Sequence, residues 1–112
     1  MTTTLRDAIR AVLKQDKDGD MIVAQQPWSP MCVARVLSLG VNEVVVPKAI
    51  KAEGFAYFLE GDIARDLARS IPHGALRDDE ITDMLIYYAQ YDGFPDWANE
   101  RIRTASNERP AG

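Results

Sequence analysis

The sequence predicts an all-α fold, namely a single-domain helical bundle of four to six helices. The chain has 112 residues, the length of one domain, and 46% of them are apolar, which is enough for one core. The apolar residues recur mainly at helical spacing, and proline and glycine separate the resulting stripes. The most strand-like run, residues 44–46, is only three residues long, and whether it forms a strand stays open.

The first predicted helix begins at a threonine cap, Thr3 or Thr4, and ends near Gln15. Its apolar residues lie at i, i+4, i+7 and i+8 and therefore form one stripe: Leu5, Ile9, Val12 and Leu13. The polar residues 16–20 then end the helix. They resemble half of a calcium loop, but the second half lacks the required glycine and glutamate, so a solvated turn is expected.

The second predicted helix covers residues 30–39. Ser29 offers a hydroxyl cap, Pro30 fits the first helical turn, and Gly40 provides the stop. The preceding apolar run, residues 21–24, fits either a buried extended segment or the start of a helix.

The third predicted helix covers residues 47–71, where apolar residues keep helical spacing. Gly54 and Gly61 lie inside this segment and mark a kink, a break into two helices or a close packing contact.

The fourth and fifth predicted helices form the C-terminal part of the chain. The fourth begins near Asp78 and ends at Gly93, and the fifth begins at Pro95. The expected domain is therefore residues 1–106, followed by a frayed polar tail at 107–112.

Composition excludes several classes of function. The net charge of −4 disfavours a general phosphate-binding surface. With one cysteine, Cys32, and one histidine, His73, the chain has no internal disulfide, multi-cysteine zinc site or paired-histidine metal site, and no cofactor is predicted. No apolar run reaches the length of a membrane span, and the N-terminus does not read as a secretory signal, so a cytoplasmic protein is expected.

Residues 80–95 carry the most informative pattern. Glu80 and Ile81 open a helix, and a Tyr-x-Gly-x-Pro corner at Tyr91, Gly93 and Pro95 leads into the next helix. This pattern resembles the second half of the carboxymuconolactone decarboxylase family, which includes the alkyl hydroperoxidase D-like proteins.

The resemblance implies a trimer or hexamer built on a helical hairpin from about residue 48 to residue 105. It also implies cofactor-free acid–base chemistry on a small organic acid or lactone, as in a lyase. The reactive cysteines and histidine of the peroxidase branch fall near Glu53, Ala56 and Glu60, so this chain lacks peroxidase chemistry.

Three residues are candidate catalytic proton carriers. Glu53 and Glu60 are seven residues apart, which places them on the same face of the predicted third helix, among aromatic residues that could raise a carboxyl pKa. His73 is the only histidine and titrates near neutral pH. For all three, a solvent-exposed surface residue is the competing interpretation.

Four aromatic residues are candidate substrate-binding residues: Tyr57, Tyr87, Tyr91 and Trp97. Phenol hydroxyls that line an apolar pocket suit a small aromatic or lactone-like ligand. Core and interface packing explain the same residues without a ligand.

Two non-enzymatic functions compete with this interpretation. The first is a non-catalytic helical interaction or regulatory subunit, which the lack of a complete catalytic set favours. The second is a helix-turn-helix DNA-binding protein, because residues 34–51 read as helix, glycine turn and second helix. Pro47 inside the recognition helix and the low number of basic residues there disfavour DNA binding.

Overall fold

The computed structural model describes residues 2–15, 19–38 and 46–107 and shows a mixed α/β fold. The prediction of an all-α helical bundle is wrong, because four strands form an antiparallel sheet in the order β1-β3-β2-β4. The elements in chain order are β1 (Thr3–Thr4), α1 (Leu5–Lys14), β2 (Asp20–Gln25), β3 (Val33–Ser38), α2 (Lys48–Ala52), β4 (Phe55–Glu60), α3 (Gly61–Arg69), α4 (Asp78–Tyr91) and α5 (Asp96–Asn107).

The second predicted helix is wrong because residues 33–38 form strand β3. This strand pairs with β2 from Asp20↔Ser38 to Ala24↔Ala34. The ambiguous run at residues 21–24 thus belongs to a strand that is buried on both faces. Such strands lose the alternation of apolar and polar residues, and a short apolar run then looks the same in a strand and in a helix.

The third predicted helix is also wrong, because residues 47–71 form α2, β4 and α3. Gly54 adopts a φ of 89°, which ends the helical path directly before β4. The strand is rich in aromatic residues, which suit a pleated surface. The helical hairpin expected from about residue 48 to 105 and the helix-turn-helix at 34–51 are therefore absent, since each contains a strand.

The first, fourth and fifth predicted helices are confirmed as α1, α4 and α5. The Thr4 hydroxyl caps α1 by accepting a hydrogen bond from the Asp7 backbone N–H at 3.2 Å. The solvated turn predicted at residues 16–20 is wrong at its last residue, because Asp20 begins β2 and is buried. Residues 16–18, the predicted stop at Gly40, residues 44–45 and the tail from 108 onward lie outside the described residues.

The sheet carries apolar residues on both faces. The main core joins one face, through Ile22, Ala34 and Phe58, to helices α1, α3 and α4. A smaller cluster on the other face consists of Met21, Val23, Val46 and Phe55, with Leu37 and Ile50 packed against it. A β-bulge in the β2–β4 pairing lets the consecutive residues Phe58 and Leu59 both enter the main core.

A buried ion pair joins β2, α3 and α1. The guanidinium of Arg65 donates two hydrogen bonds of 3.0 Å to the carboxylate of Asp20, and a third of 3.1 Å to the carbonyl oxygen of Val12. The side chains of Arg65 and Asp20 are 4% and 1% exposed. The mostly exposed Asp62 also pairs with Arg65, at 2.7 Å. These hydrogen bonds raise the pKa of Arg65 above its usual range.

We expect Asp20→Asn to lower the free energy of unfolding by about 3 kcal/mol, because it leaves a buried guanidinium without its main counter-charge. Urea unfolding followed by circular dichroism measures the loss. Asp62→Asn is the matched control and should cost less than about 1 kcal/mol, since its carboxylate is 59% exposed. Equal losses in the two variants would show that burial of the pair is unimportant.

We also expect Gly61→Ala to destabilise the protein, although alanine usually favours a helix over glycine. A Cβ at this position would lie 1.9 Å from the Asp20 Oδ1 atom and would displace the buried carboxylate. The expected cost is about 1–3 kcal/mol in urea unfolding. Gly93→Ala is the control, because its Cβ would meet no atom within 4 Å, and a similar loss there would contradict the steric explanation.

Candidate functional site

Helix α4 forms one wall of the candidate site, and local interactions set its two ends. At its start, the backbone N–H of Arg77 donates a 3.0 Å hydrogen bond to the carboxylate of Glu80. At its end, Asp92 adopts a left-handed conformation with φ of 58°, and its N–H donates to the carbonyl oxygen of Tyr88 at 2.8 Å.

Helix α5 forms the opposite wall. Pro95 precedes the helix, and its carbonyl oxygen accepts hydrogen bonds from the backbone N–H groups of Ala98 and Asn99. Ala98 is fully buried in the main core and therefore anchors α5 to the rest of the protein. Arg101 pairs with Glu80 of α4, so an ion pair also ties the two helices together.

An open groove of about 440 Å³ lies between these helices, and we call it the α4–α5 groove. Helix α4 and its cap supply three carboxylates, one guanidinium group and one tyrosine ring, and α5 with the preceding proline supplies a tryptophan ring and a second guanidinium group. The lining residues are Arg77, Asp79, Glu80, Asp83, Tyr87, Pro95, Trp97 and Arg101.

Three large aromatic side chains are exposed at this groove. Tyr87 and Trp97, which line it, are 39% and 40% exposed, and the neighbouring Tyr91 is 66% exposed. The rings of Tyr87 and Tyr91 pack with their centroids 4.6 Å apart. The guanidinium carbon of Arg101 lies 5.8 Å from the centre of the Trp97 ring. Tyr and Trp are typical of the residues that bind partners at protein surfaces.

The negative charge of the chain is concentrated in the segment that contains the groove, although the groove lining itself carries three carboxylates and two guanidinium groups. Residues 77–103 contain seven acidic and three basic residues, which gives a net charge of −4. The remaining residues contain ten of each sign and are therefore neutral in sum. The whole net charge of the chain thus belongs to the segment that carries the exposed aromatic rings.

Two carboxyl groups of the groove have shifted pKa values, in opposite directions. The hydrogen bond from the Arg77 backbone and the charges of Arg101 and Arg77 lower the pKa of Glu80. Partial burial and the negative charges of Asp79 and Glu80 raise the pKa of Asp83. The carboxylate of Glu80 therefore forms ion pairs with Arg77 and Arg101, whereas no cation of the described residues pairs with Asp83.

Two of the predicted substrate-binding residues, Tyr87 and Trp97, line the α4–α5 groove, and a third, Tyr91, packs on Tyr87 beside it. The two predicted catalytic glutamates do not share a helix face, because β4 separates them. This six-residue strand alone spans about 17 Å. Glu53 lies in the turn before it and pairs with Arg35 at 3.2 Å.

Glu60 ends β4 and lies near the fourth predicted substrate-binding residue, Tyr57. Burial raises the pKa of Tyr57, a hydrogen bond with the Glu60 backbone opposes this shift, and the charges of Glu60 and Tyr88 add to it. His73 lies in the loop between α3 and α4 and is exposed. The predicted catalytic residues are thus distributed over separate parts of the fold.

Sequence reasoning missed the charged residues of the groove as site residues. No sequence motif points to Asp83, Arg101 or Arg77. The charge imbalance of residues 77–103 is a signal that could have found them. The placement of Arg101 against Glu80 depends on the angle between the two helices, which the sequence does not show.

A second groove, of about 300 Å³, lies between α1 and α4. Its lining residues are Arg10, Leu13, Lys14, Asp78, Ile81 and Thr82. Its described lining residues include two cations and one carboxylate but no aromatic ring, so it lacks the exposed rings of the α4–α5 groove.

No protein-family model, curated protein or solved structure matches this chain. In the part of the chain that the structure describes, no three His, Cys, Asp or Glu side chains are placed to hold a metal ion. None of the helices in the same ranges is long and apolar enough to cross a membrane.

We expect Asp83→Asn to stabilise the protein at neutral pH. The folded protein binds a proton at Asp83 more tightly than the unfolded chain does, so ionisation of this carboxyl group opposes folding. The advantage of the variant should shrink as pH falls through the raised pKa and vanish below the usual value of 3.8.

Urea unfolding of the wild type and the variant at pH 7 and pH 3 tests this expectation. Asp66→Asn is the control, because Asp66 is exposed on α3 and pairs with Arg69 at 3.9 Å. It should not stabilise the protein at pH 7. A destabilised Asp83→Asn variant at pH 7 would show that this carboxylate is instead well compensated in the fold.

Proposed function

We propose that the protein is a non-catalytic binding module that recognises a basic segment of a partner protein through the α4–α5 groove. The observation that carries this proposal is the coincidence of three exposed aromatic rings with the acidic segment 77–103. A basic partner supplies the complementary charge, and its cationic side chains interact favourably with aromatic faces.

The rigidity of the groove supports this function. Both walls are helical, α5 is anchored by the buried Ala98, and the Glu80–Arg101 ion pair fixes one helix against the other. A preformed site loses little conformational entropy when a partner binds. The aromatic rings need not be ordered on binding, because Tyr87 already packs on Tyr91 and Trp97 on Arg101.

The carboxymuconolactone decarboxylase-like activity stays a prediction. The helical hairpin that the resemblance implies is interrupted by β4, with Glu53 in the turn before that strand and Glu60 as its last residue. The expected trimer or hexamer, the small-molecule ligand and the cytoplasmic location likewise stay predictions.

We expect a peptide of alternating glycine and lysine or arginine to bind the protein in isothermal titration calorimetry. A peptide of alternating glycine and glutamate should not bind, since the carboxylates of the peptide and of the groove repel each other. The affinity for the basic peptide should fall as the salt concentration rises. Equal binding of the basic and acidic peptides would contradict the proposal.

We expect Trp97→Ala to weaken the binding of the basic peptide roughly tenfold or more, because exposed tryptophans dominate binding energies at such surfaces. Met31→Ala is the matched control: Met31 is 63% exposed but lies in the connection between β2 and β3, outside the groove. Circular dichroism melts of both variants separate lost binding from lost folding. Unchanged affinity of a folded Trp97→Ala protein would exclude the groove as the binding surface.

A further inference from the structure

The outer face of α4 carries an ordered row of side chains at intervals of four residues. Asp79, Asp83, Tyr87 and Tyr91 are all exposed, and each is the neighbour of the next on the helix surface. Two carboxylates therefore precede two phenol rings along one ridge of the groove. The ring of Tyr87 packs against the ring of Tyr91, and Asp83 lies one helical turn before Tyr87 on the same ridge.

The protein's own Arg101 shows which ligand such a pair of groups accepts. Its guanidinium pairs with the carboxylate of Glu80 and lies 5.8 Å from the centre of the Trp97 ring. One carboxylate and one aromatic ring thus bind one guanidinium inside the groove. Guanidinium groups suit this arrangement because they are planar, donate two parallel hydrogen bonds and stack on aromatic rings.

Asp83 and Tyr87 repeat this pair of groups on the same groove. Both line it, both are exposed, and within the described ranges no cation pairs with Asp83. The nearest charged groups of its own helix are Asp79 and Glu80, whose negative charges raise its pKa. A cation from outside would relieve this repulsion. The cations Arg77 and Arg101 are already engaged with Asp79 and Glu80.

We propose that Asp83 and Tyr87 form a subsite for one arginine side chain of the partner, with the guanidinium paired to the Asp83 carboxylate and stacked on the Tyr87 ring. This inference rests on the proposed function, and it adds that the groove prefers arginine to lysine. A lysine ammonium carries the same charge, but it lacks the planar group that stacks and the fork that binds both carboxylate oxygens.

Two peptides of equal charge test the preference. Each is acetylated and amidated and contains glycine alternating with three copies of either arginine or lysine. In isothermal titration calorimetry at pH 7.5 we expect the arginine peptide to bind roughly tenfold more tightly. A glycine–glutamate peptide of the same length serves as the negative control.

Substitutions of Asp83 and Tyr87 test whether these two residues cause the preference for arginine over lysine. Asp83→Asn and Tyr87→Leu should each reduce the ratio of the arginine-peptide affinity to the lysine-peptide affinity to nearly one, mainly by weakening the binding of the arginine peptide. Both side chains are exposed, so the variants should fold, which circular dichroism checks. Asp66→Asn on α3 removes the same charge outside the groove and should leave the ratio unchanged.

The outcomes separate this inference from the proposed function. If both basic peptides bind with equal affinity and Asp83→Asn weakens the binding of both equally, the groove recognises basic segments but the inference of an arginine subsite is wrong. The same conclusion follows if Asp66→Asn also abolishes the preference. If neither basic peptide binds more tightly than the glutamate peptide, the proposed function is wrong and the subsite with it.

Discussion

The buried ion pair between Arg65 and Asp20 is the contact on which the arrangement of the layers depends. One guanidinium holds the first residue of β2, the helix α3 and the carbonyl oxygen of Val12 in α1. Because the pair is almost completely buried, loss of Arg65 leaves a buried carboxylate without its cation, and loss of Asp20 removes the buried counter-charge of Arg65. Gly61 allows this contact, since any larger residue would meet the Asp20 carboxylate. The pair thereby fixes α1 and α3 on one face of the sheet.

This two-helix layer positions α4 and, through it, the groove. Met84, Leu85 and Ile86 of α4 are buried in the main core together with residues of α1 and α3. The opposite face of α4, which carries Asp83 and Tyr87, is left exposed. The groove thus lies on a helix whose inner face is held by the core, and binding residues on rigid elements keep their geometry.

The carboxylates of the groove differ in whether the described cations of the protein pair with them. Glu80 is engaged by Arg77 and Arg101, so it connects the two helices. Asp83 lies among other carboxylates, and its ionisation opposes folding. The segment contains more than twice as many acidic as basic residues, and the ion pairs of Glu80 offset part of this excess.

The sequence by itself determined α1, α4 and α5, because each combines a helical apolar stripe or acidic first turn with local start and stop signals. It also places Tyr87, Tyr91 and Trp97 near one corner of the chain, on either side of Pro95, but their role as binding residues stays a prediction. Only the tertiary structure decided the strands and the remainder of the site. A short apolar run such as residues 33–38 becomes a strand through pairing with residues distant in the chain, and pairing leaves no local periodicity. For the same reason, the separation of Glu53 from Glu60 and the contact of Arg101 with Glu80 follow from packing between elements.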